Sequence, residues 1–287
     1  MSITKKFLVQ HWLTDIEALE AIAEAAEIKS TDTVLEVGPG LGHLTHQLIQ
    51  QAAHVVAVEL DKDLAANLEK NLSKHISPDC RARPCKGGRL TVVQGDILQF
   101  DLTELPAGYK IVANIPYYLT SNLLRVLSES TNPPALMVLL VQKEVAERIC
   151  TPVGQMSLLS VSVQLYYGAE LGLVVPAKLF VPPPKVDSQV VILRQHAKPL
   201  FRELDGQKFF QIVKAGFSGR RKKLRSSLAA GLGVSKGQAD ELLRGAKIDG
   251  NLRAQNLSLQ DWHRLYKVNT PTPSKNTWLV KYFSRKL

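Results

Sequence analysis

The chain has 287 residues, 45% of them apolar, and a formal charge of +10. That length suits one large domain with a smaller one, and no apolar run approaches the ~18–20 residues of a membrane span. Three cysteines argue against a disulfide scaffold and for a reducing, cytoplasmic setting, and Met1 to Lys6 lacks the apolar core of a signal peptide.

Residues 15–28 carry helical periodicity, with Ile16, Leu19, Ile22, Ala23 and Ala26 on one face. Thr33 to Val37 reads as a buried strand, Gly38-Pro39-Gly40-Leu41-Gly42 as a turn, and Leu44 to Gln51 as a helix. A second strand, Val55 to Val58, ends at Glu59, and Leu64 to Leu72 is helical. Residues 77–89 form a polar insertion. Its Cys80 and Cys85 are two ligands where a structural zinc site takes four, so a surface loop is expected there and no metal. Leu90 to Val93 is the third strand, before Gly95-Asp96, and Tyr109 to Ala113 the fourth, before Asn114. A helix follows over Leu119 to Leu127, then a fifth strand over Leu136 to Val141 and a helix through Ile149. Strands alternating with helices predict an α/β, Rossmann-like parallel sheet covered on both faces. Ser160 to Leu165 and Val190 to Leu193 are expected to add antiparallel strands at one edge.

After His196 the spacing of Phe209, Phe210, Val213 and Phe217, then of Leu224, Leu228 and Leu232, becomes helical. We expect a catalytic domain over residues 1–200, a small all-α domain over 201–267 and a loosely packed basic tail over 268–287. Residues 201–287 hold 18 Lys or Arg against 6 Asp or Glu, a balance of +12, so the first 200 carry −2 of the chain's +10. A near-neutral front and a basic back suggest chemistry in front and a polyanion held behind.

Three strand ends offer a nucleoside site. Glu36-Val37-Gly38-Pro39-Gly40-Leu41-Gly42 lets a ligand approach the backbone at Gly38 and Gly40. His43 stands where the dinucleotide fingerprint needs its third glycine, which disfavours a dehydrogenase. Glu59 can accept both hydroxyls of a ribose, and Asp96 the amino group of an adenine. Each alone reads equally as a polar loop residue; together they read as a site for S-adenosyl-L-methionine. Asn114-Ile115-Pro116-Tyr117 adds chemistry. An exocyclic amine is a poor nucleophile because its lone pair is delocalised into the ring. Acceptors from Asn114 and a nearby backbone carbonyl can hold that nitrogen closer to tetrahedral, Pro116 stiffens the turn, and Tyr117 offers a stacking face.

These motifs together resemble the KsgA/Erm-type ribosomal RNA adenine N6-dimethyltransferases over roughly residues 5–267. Lys5 to Leu13 is similar to the family's N-terminal cofactor block, with His11 in place of the usual Asn and Trp12 in place of Phe. Phe180-Val181-Pro182-Pro183-Pro184-Lys185-Val186-Asp187-Ser188 resembles its Phe-x-Pro-x-Pro-x-Val-Asp-Ser segment, and Phe217 to Arg225 its Phe-x-x-Arg-Arg-Lys-x-Leu helix start. The resemblance implies cofactor contacts at His11, Leu13, Gly38, Gly40, Glu59, Asp96 and Asn114, and a base held between Tyr117 and Phe180. It implies phosphate contacts at Arg220, Arg221, Lys222, Lys223 and Arg225. It favours the branch that dimethylates two adjacent adenines in a hairpin near the 3′ end of small-subunit rRNA, within a pre-ribosomal particle, over the branch that modifies large-subunit rRNA. We expect a monomer. A DNA adenine methyltransferase and a non-catalytic assembly or transcription factor are the competing readings; the second predicts erosion of the cofactor or Asn-x-Pro-Tyr residues.

Overall fold

The computed structural model describes residues 11–72, 88–219 and 221–270. The chain divides into two compact units, Met1–Cys150 with Ser162–Pro199, and Thr151–Val161 with Leu200–Leu287. The sequence reading placed Thr151–Val161 in the front domain; in the structure it clusters with Leu200–Leu287.

The first unit is built on a seven-stranded sheet: β2 (Thr33–Val37), β3 (His54–Glu59), β4 (Arg89–Gln94), β5 (Lys110–Asn114), β6 (Leu136–Gln142), β7 (Tyr167–Val175) and β9 (Ser188–Gln195). Their order is β4-β3-β2-β5-β6-β9-β7. The first five pair in parallel, and β9 runs antiparallel to both β6 and β7. The sheet is therefore mixed, as expected from Val190 to Leu193. A separate two-stranded ribbon pairs β1 (Trp12–Leu13) with β8 (Phe180–Val181). The helices are α1 (Ile16–Ala25), α2 (His43–Ile49), α3 (Lys62–Leu72), α4 (Thr120–Ser128) and α5 (Lys143–Ile149), with α6 (Leu158–Gln164) counted with the second unit up to Val161.

Alternation along the strands places the core. Val34, Val55, Val112, Val138 and Val190 pack with Leu19, Ile22, Leu44 and Leu48 of α1 and α2. Leu35, Val56, Ile111, Met137 and Val191 are equally buried and face the other side. Asp15 starts α1 by accepting a hydrogen bond from the Ala18 N–H, and Lys110 Nζ bonds Asp32 at 2.8 Å and the carbonyl of Ala26, tying the end of that helix to β5.

One expected element is corrected. Ser160 to Leu165 is not a strand but lies at the end of α6. Its alternating Val and Ser suit a strand, yet Ser157 and Ser160 bond each other's backbone N–H at 3.1 and 2.7 Å, which caps a helix start locally. The edge strand is β7 instead, where Gly168, Glu170 and Gly172 blur the apolar pattern and a register shift falls between Leu171 and Val174.

The second unit holds α7 (Gly206–Phe217), α8 (Leu224–Leu232), α9 (Lys236–Gly245) and α10 (Leu259–Asn269). Phe209, Val213, Leu224, Leu228, Trp262 and Leu265 form its interior, each 1% exposed or less. Ser235 and Ser258 start α9 and α10 with capping boxes. The expected tail overlaps α10 at Val268 and Asn269; its residues from 271 onward, the insertion from 77 to 87 with Cys80 and Cys85, and Arg220 lie outside the described residues.

Candidate active site

The turn between β2 and α2 is left-handed three times, at Gly38 (φ +66°), Gly40 (φ +57°) and Gly42 (φ +88°). A Cβ on Gly40 would meet Trp12 Nε1 at 3.1 Å, and one on Gly42 would meet Leu68 Cδ1 at 2.7 Å. The backbone angle favours glycine there, and a side chain would also have to displace Trp12 or Leu68. The Gly38 N–H donates to the Val58 carbonyl at 2.9 Å, which holds the turn against the end of β3.

Glu59, 4% exposed, is fixed from both sides. Its Oε2 accepts from the Gly40 N–H at 3.1 Å and its Oε1 from the Asp61 N–H at 2.9 Å. Each oxygen keeps a further lone pair for a hydroxyl. Asp96 uses Oδ1 to accept from the Leu98 N–H at 2.9 Å, which leaves Oδ2 for a ligand. Tyr118 is 61% exposed, and the charges of Asp96 and Glu59, with burial first, raise the pKa of its hydroxyl.

Asn114 closes β5. Its Nδ2 donates to the His11 carbonyl at 3.3 Å, so its orientation is set and Oδ1 has no partner among the described residues. His11 in turn donates from Nδ1 to the Pro182 carbonyl at 2.7 Å; a carbonyl only accepts, so the proton sits on Nδ1. The His11 and Tyr117 rings are stacked with centroids 6.1 Å apart. Tyr117 Oη lies 2.9 Å from the Ser188 hydroxyl, and its burial raises its pKa, so it is a neutral phenol. The Leu13 carbonyl accepts from His43 Nδ1 at 3.0 Å; Leu13 serves as cavity wall.

Phe180 departs from expectation. It is 2% exposed and belongs to the core cluster with Leu13, Leu19 and Val190. In this conformation it has no open face for a base, and its visible work is to anchor the β1–β8 ribbon that carries His11 and Leu13 into place.

Glu36 was visible in the sequence only as an acidic residue ahead of the glycine turn. It sits inside β2, 1% exposed, and its Oε2 has no hydrogen-bond partner among the described residues. It lines a cavity of about 40 Å³ with Trp12, Leu13, Gly38, Pro39, His43 and Asn114. Burial pushes its pKa up to about 8, against a smaller lowering by the Thr45 hydroxyl, and the Glu59 charge adds a lesser push upward. The signal for it was a carboxylate in the middle of an otherwise apolar strand. A folded pKa above the unfolded 4.5 means that the stability this group contributes is whole below pH 4.5 and is lost as pH rises towards about 8. Glu36→Gln is expected to remove that loss. Each pKa unit is worth about 1.4 kcal/mol and water entering the cavity softens the penalty, so the variant gains on the order of 2 kcal/mol over the wild type at pH ~8, little at pH ~5. Urea melts of both proteins across that range check it; parallel curves would refute it.

In the second unit Arg221, Lys222 and Lys223 are exposed ahead of α8. Lys223 Nζ bonds Asn251 Oδ1 at 2.8 Å, and Arg225 lies 3.9 Å from Asp240, so these two are partly engaged. Lys222 and Lys223 line a groove of about 590 Å³ with Ser226, Ala229, Ala230, Val234 and Lys236. Lys236 was missed because it lies in a separate helix, 11 residues beyond Arg225.

A glycine turn on β2, fixed carboxylates on β3 and β4, and an oriented amide on β5 define an S-adenosylmethionine-dependent methyltransferase acting on an amino group. The ribosomal RNA adenine dimethylase family matches residues 1–270, and the chain belongs to that family. A ribosomal RNA small subunit methyltransferase A of Dehalococcoides mccartyi is 41% identical over 272 residues, 94% of this chain and 89% of its own. Its counterpart in Listeria monocytogenes serotype 4a is 36% identical over 91% of this chain and 89% of its own. Among solved structures, a dimethyladenosine transferase from Plasmodium falciparum has a TM-score of 0.74 at 26% identity, covering 89% of this chain and 96% of its own. The 23S rRNA methyltransferase ErmE has a TM-score of 0.67 at 29% identity, covering 90% and 98%. The chain is an S-adenosylmethionine-dependent rRNA adenine dimethyltransferase, and the orphaned Glu36 oxygen, which lines one cavity with Gly38 and Asn114, fits a polar cofactor there. No helix among the described residues is long and apolar enough to cross a membrane.

Proposed function

We propose that this protein dimethylates N6 of two adjacent adenines in a hairpin near the 3′ end of small-subunit rRNA. It acts as a monomer in the cytoplasm on a pre-ribosomal particle, in the course of small-subunit assembly. The observation that carries the chemistry is Asn114, whose Nδ2 is committed to the His11 carbonyl while Oδ1 remains to accept an amine hydrogen. The small-subunit assignment follows the names of relatives at 36 to 41% identity.

S-adenosylmethionine supplies an electrophilic methyl on a cationic sulfur. Gly38, Gly40 and Leu13 form the walls around it, Glu59 takes the ribose hydroxyls, Asp96 the adenine amine, and His11 and Asn114 border the methionine end. Asn114 Oδ1 and the Ile115 carbonyl side of the turn accept the hydrogens of the target amine and expose its lone pair. Positioning is the main contribution. The methylated ammonium is acidic enough to lose its proton to water, so no strong base is needed. Tyr117 stacks on the target base, which must be turned out of its helix to arrive. Phe180 acts through the β1–β8 ribbon.

The exposed cations ahead of α8 hold RNA phosphates, with Arg220 in the same run. Reversing Arg221, Lys222 and Lys223 to Glu is expected to weaken RNA binding and to flatten its salt dependence by about 0.7–0.9 in log–log slope per lost contact. Filter binding across a salt series reads this; an unchanged slope would remove these residues from the interface.

The deciding experiment is methyl transfer from labelled S-adenosylmethionine to unmethylated small-subunit particles, with large subunits and duplex DNA as controls. N6,N6-dimethyladenosine in the small subunit alone is the expected product. Label in large-subunit RNA would move the protein to the other branch, and binding without transfer would make it an assembly factor.

A further inference from the structure

Residues 181–187, Val-Pro-Pro-Pro-Lys-Val-Asp, lead from β8 to β9 and are apolar where a surface loop is usually polar. Val181 is 57% exposed and Val186 46%, and Pro182 and Pro183 between them are exposed as well. Single exposed apolar residues are ordinary, but four within six positions make a patch, and patches mark contact surfaces.

The patch stands on a stiff frame. Phe180, just before it, is packed in the core. The Pro182 carbonyl accepts from His11 Nδ1 at 2.7 Å, and Pro184 is buried. The Asp187 carbonyl accepts from the Lys143 N–H of α5 at 3.0 Å, and its Oδ1 from the Ala177 N–H at 2.9 Å. Three prolines fix φ between these anchors. Little freedom is therefore lost when the loop meets a partner.

Two of the anchors belong to the site of the target base. His11, which holds Pro182, also accepts from Asn114 Nδ2 through its carbonyl and stacks on the Tyr117 ring. Ser188, which ends the loop, lies 2.9 Å from Tyr117 Oη. A residue adds at most ~3.8 Å of backbone reach, so Val181 stands within ~4 Å of Pro182 and Val186 within ~8 Å of Ser188. The patch thus continues the surface on which the target base lands.

That continuity points to the partner. When a base leaves its stack, the bases on either side can close the gap, and apolar side chains set against them oppose the closing. Val and Pro side chains suit base faces and not phosphates; Lys185, exposed in the same loop, suits a neighbouring phosphate. We propose that Val181, Pro183 and Val186 form an apolar wedge that packs against the bases beside the target adenine and keeps its place in the stack from closing. The inference rests on the rRNA adenine reading and adds to it the part of the protein that holds the RNA open.

The test is methyl transfer from S-adenosylmethionine to unmethylated small-subunit particles by the full-length protein and by its Val181→Ser/Val186→Ser variant. The variant's kcat/KM is expected to fall about tenfold or more, since each unstacked base step carries a free-energy cost. Its S-adenosylhomocysteine affinity should stay within about twofold, as for other exposed substitutions. Particles with abasic nucleotides on both sides of the adenine pair give a readout that a merely structural loop would not move. With no neighbouring bases to hold apart, the two proteins should transfer at equal rates. A variant as fast as the wild type on ordinary particles overturns the proposal. So does an equal deficit on the abasic particles, which would set the loop against another surface of the particle. If the double variant does not bind S-adenosylhomocysteine, Val186→Ser, outside the strands, carries the same comparison. If the wild type modifies no adenine in the particles, the small-subunit reading falls and the wedge falls with it; wild-type transfer with an unimpaired variant overturns the wedge alone.

Discussion

Replacing Asn114 by alanine lowers the rate of methyl transfer by about 10²–10³-fold, the cost expected of removing one oriented polar group at a reacting centre. The effect falls mainly on the chemical step. S-adenosylhomocysteine affinity should change by less than about tenfold, because Gly38, Gly40, Glu59 and Asp96 are held by backbone contacts that do not involve Asn114. Asn114→Asp separates two explanations. It keeps an acceptor but puts an oxygen where Nδ2 donates to the His11 carbonyl, so the side chain loses its anchor and gains a charge. Its rate should fall at least as far as that of the alanine variant. Single-turnover transfer rates with saturating cofactor read both. A rate within tenfold of wild type in Asn114→Ala would mean that the amine is activated elsewhere.

Gly231→Ala unfolds or loosens the helical unit, although residue propensity points the other way. Alanine is favoured over glycine in a helix by about 1 kcal/mol, and Gly231 lies inside α8. A Cβ there would stand 2.5 Å from Ala215 Cα and 2.9 Å from the Ala215 carbonyl oxygen. These are backbone atoms of α7 and cannot swing aside, so the helices must part. Overpacking costs typically ~1–3 kcal/mol and more where backbone has to move. We expect a net loss of about 3 kcal/mol, visible as an earlier thermal transition, with RNA affinity reduced while S-adenosylhomocysteine binding by the first unit persists. An increase in stability would show that α7 and α8 are not in close contact at this point.

The alternation of strands and helices was legible because each strand of the parallel sheet is a short apolar run bounded by a turn. β2 runs over Thr33–Val37, as its sequence predicts; β3, β4 and β6 extend their predicted ranges by a residue at one or both ends, and β5 is shifted by one, to Lys110–Asn114. The failures lie where local and tertiary signals compete. Ser157 and Ser160 cap a helix over a Val/Ser alternation that suits a strand. β7 hides behind two glycines because an edge strand needs only one buried face. Thr151–Val161 joins the second unit through contacts distant in sequence, such as the Met156 N–H donating to the Gln255 carbonyl at 3.1 Å.

By itself the sequence determined the kind of chemistry: a glycine turn, Glu59, Asp96 and Asn114-Ile115-Pro116-Tyr117 each follow a strand, and consecutive parallel strands bring their carboxyl ends to one edge. It also determined where positive charge accumulates, since that is composition and not geometry. Tertiary structure alone decided what each side chain is free to do. It committed Asn114 Nδ2 to His11 and left Oδ1 without a partner among the described residues, buried Phe180 in the core at the start of β8, and set Arg225 3.9 Å from Asp240. It also enclosed the Glu36 carboxylate, whose Oε2 has no hydrogen-bond partner among the described residues. Hydrogen-bond partners and burial come from residues up to 171 positions apart, as for His11 and Pro182, and no local pattern encodes them.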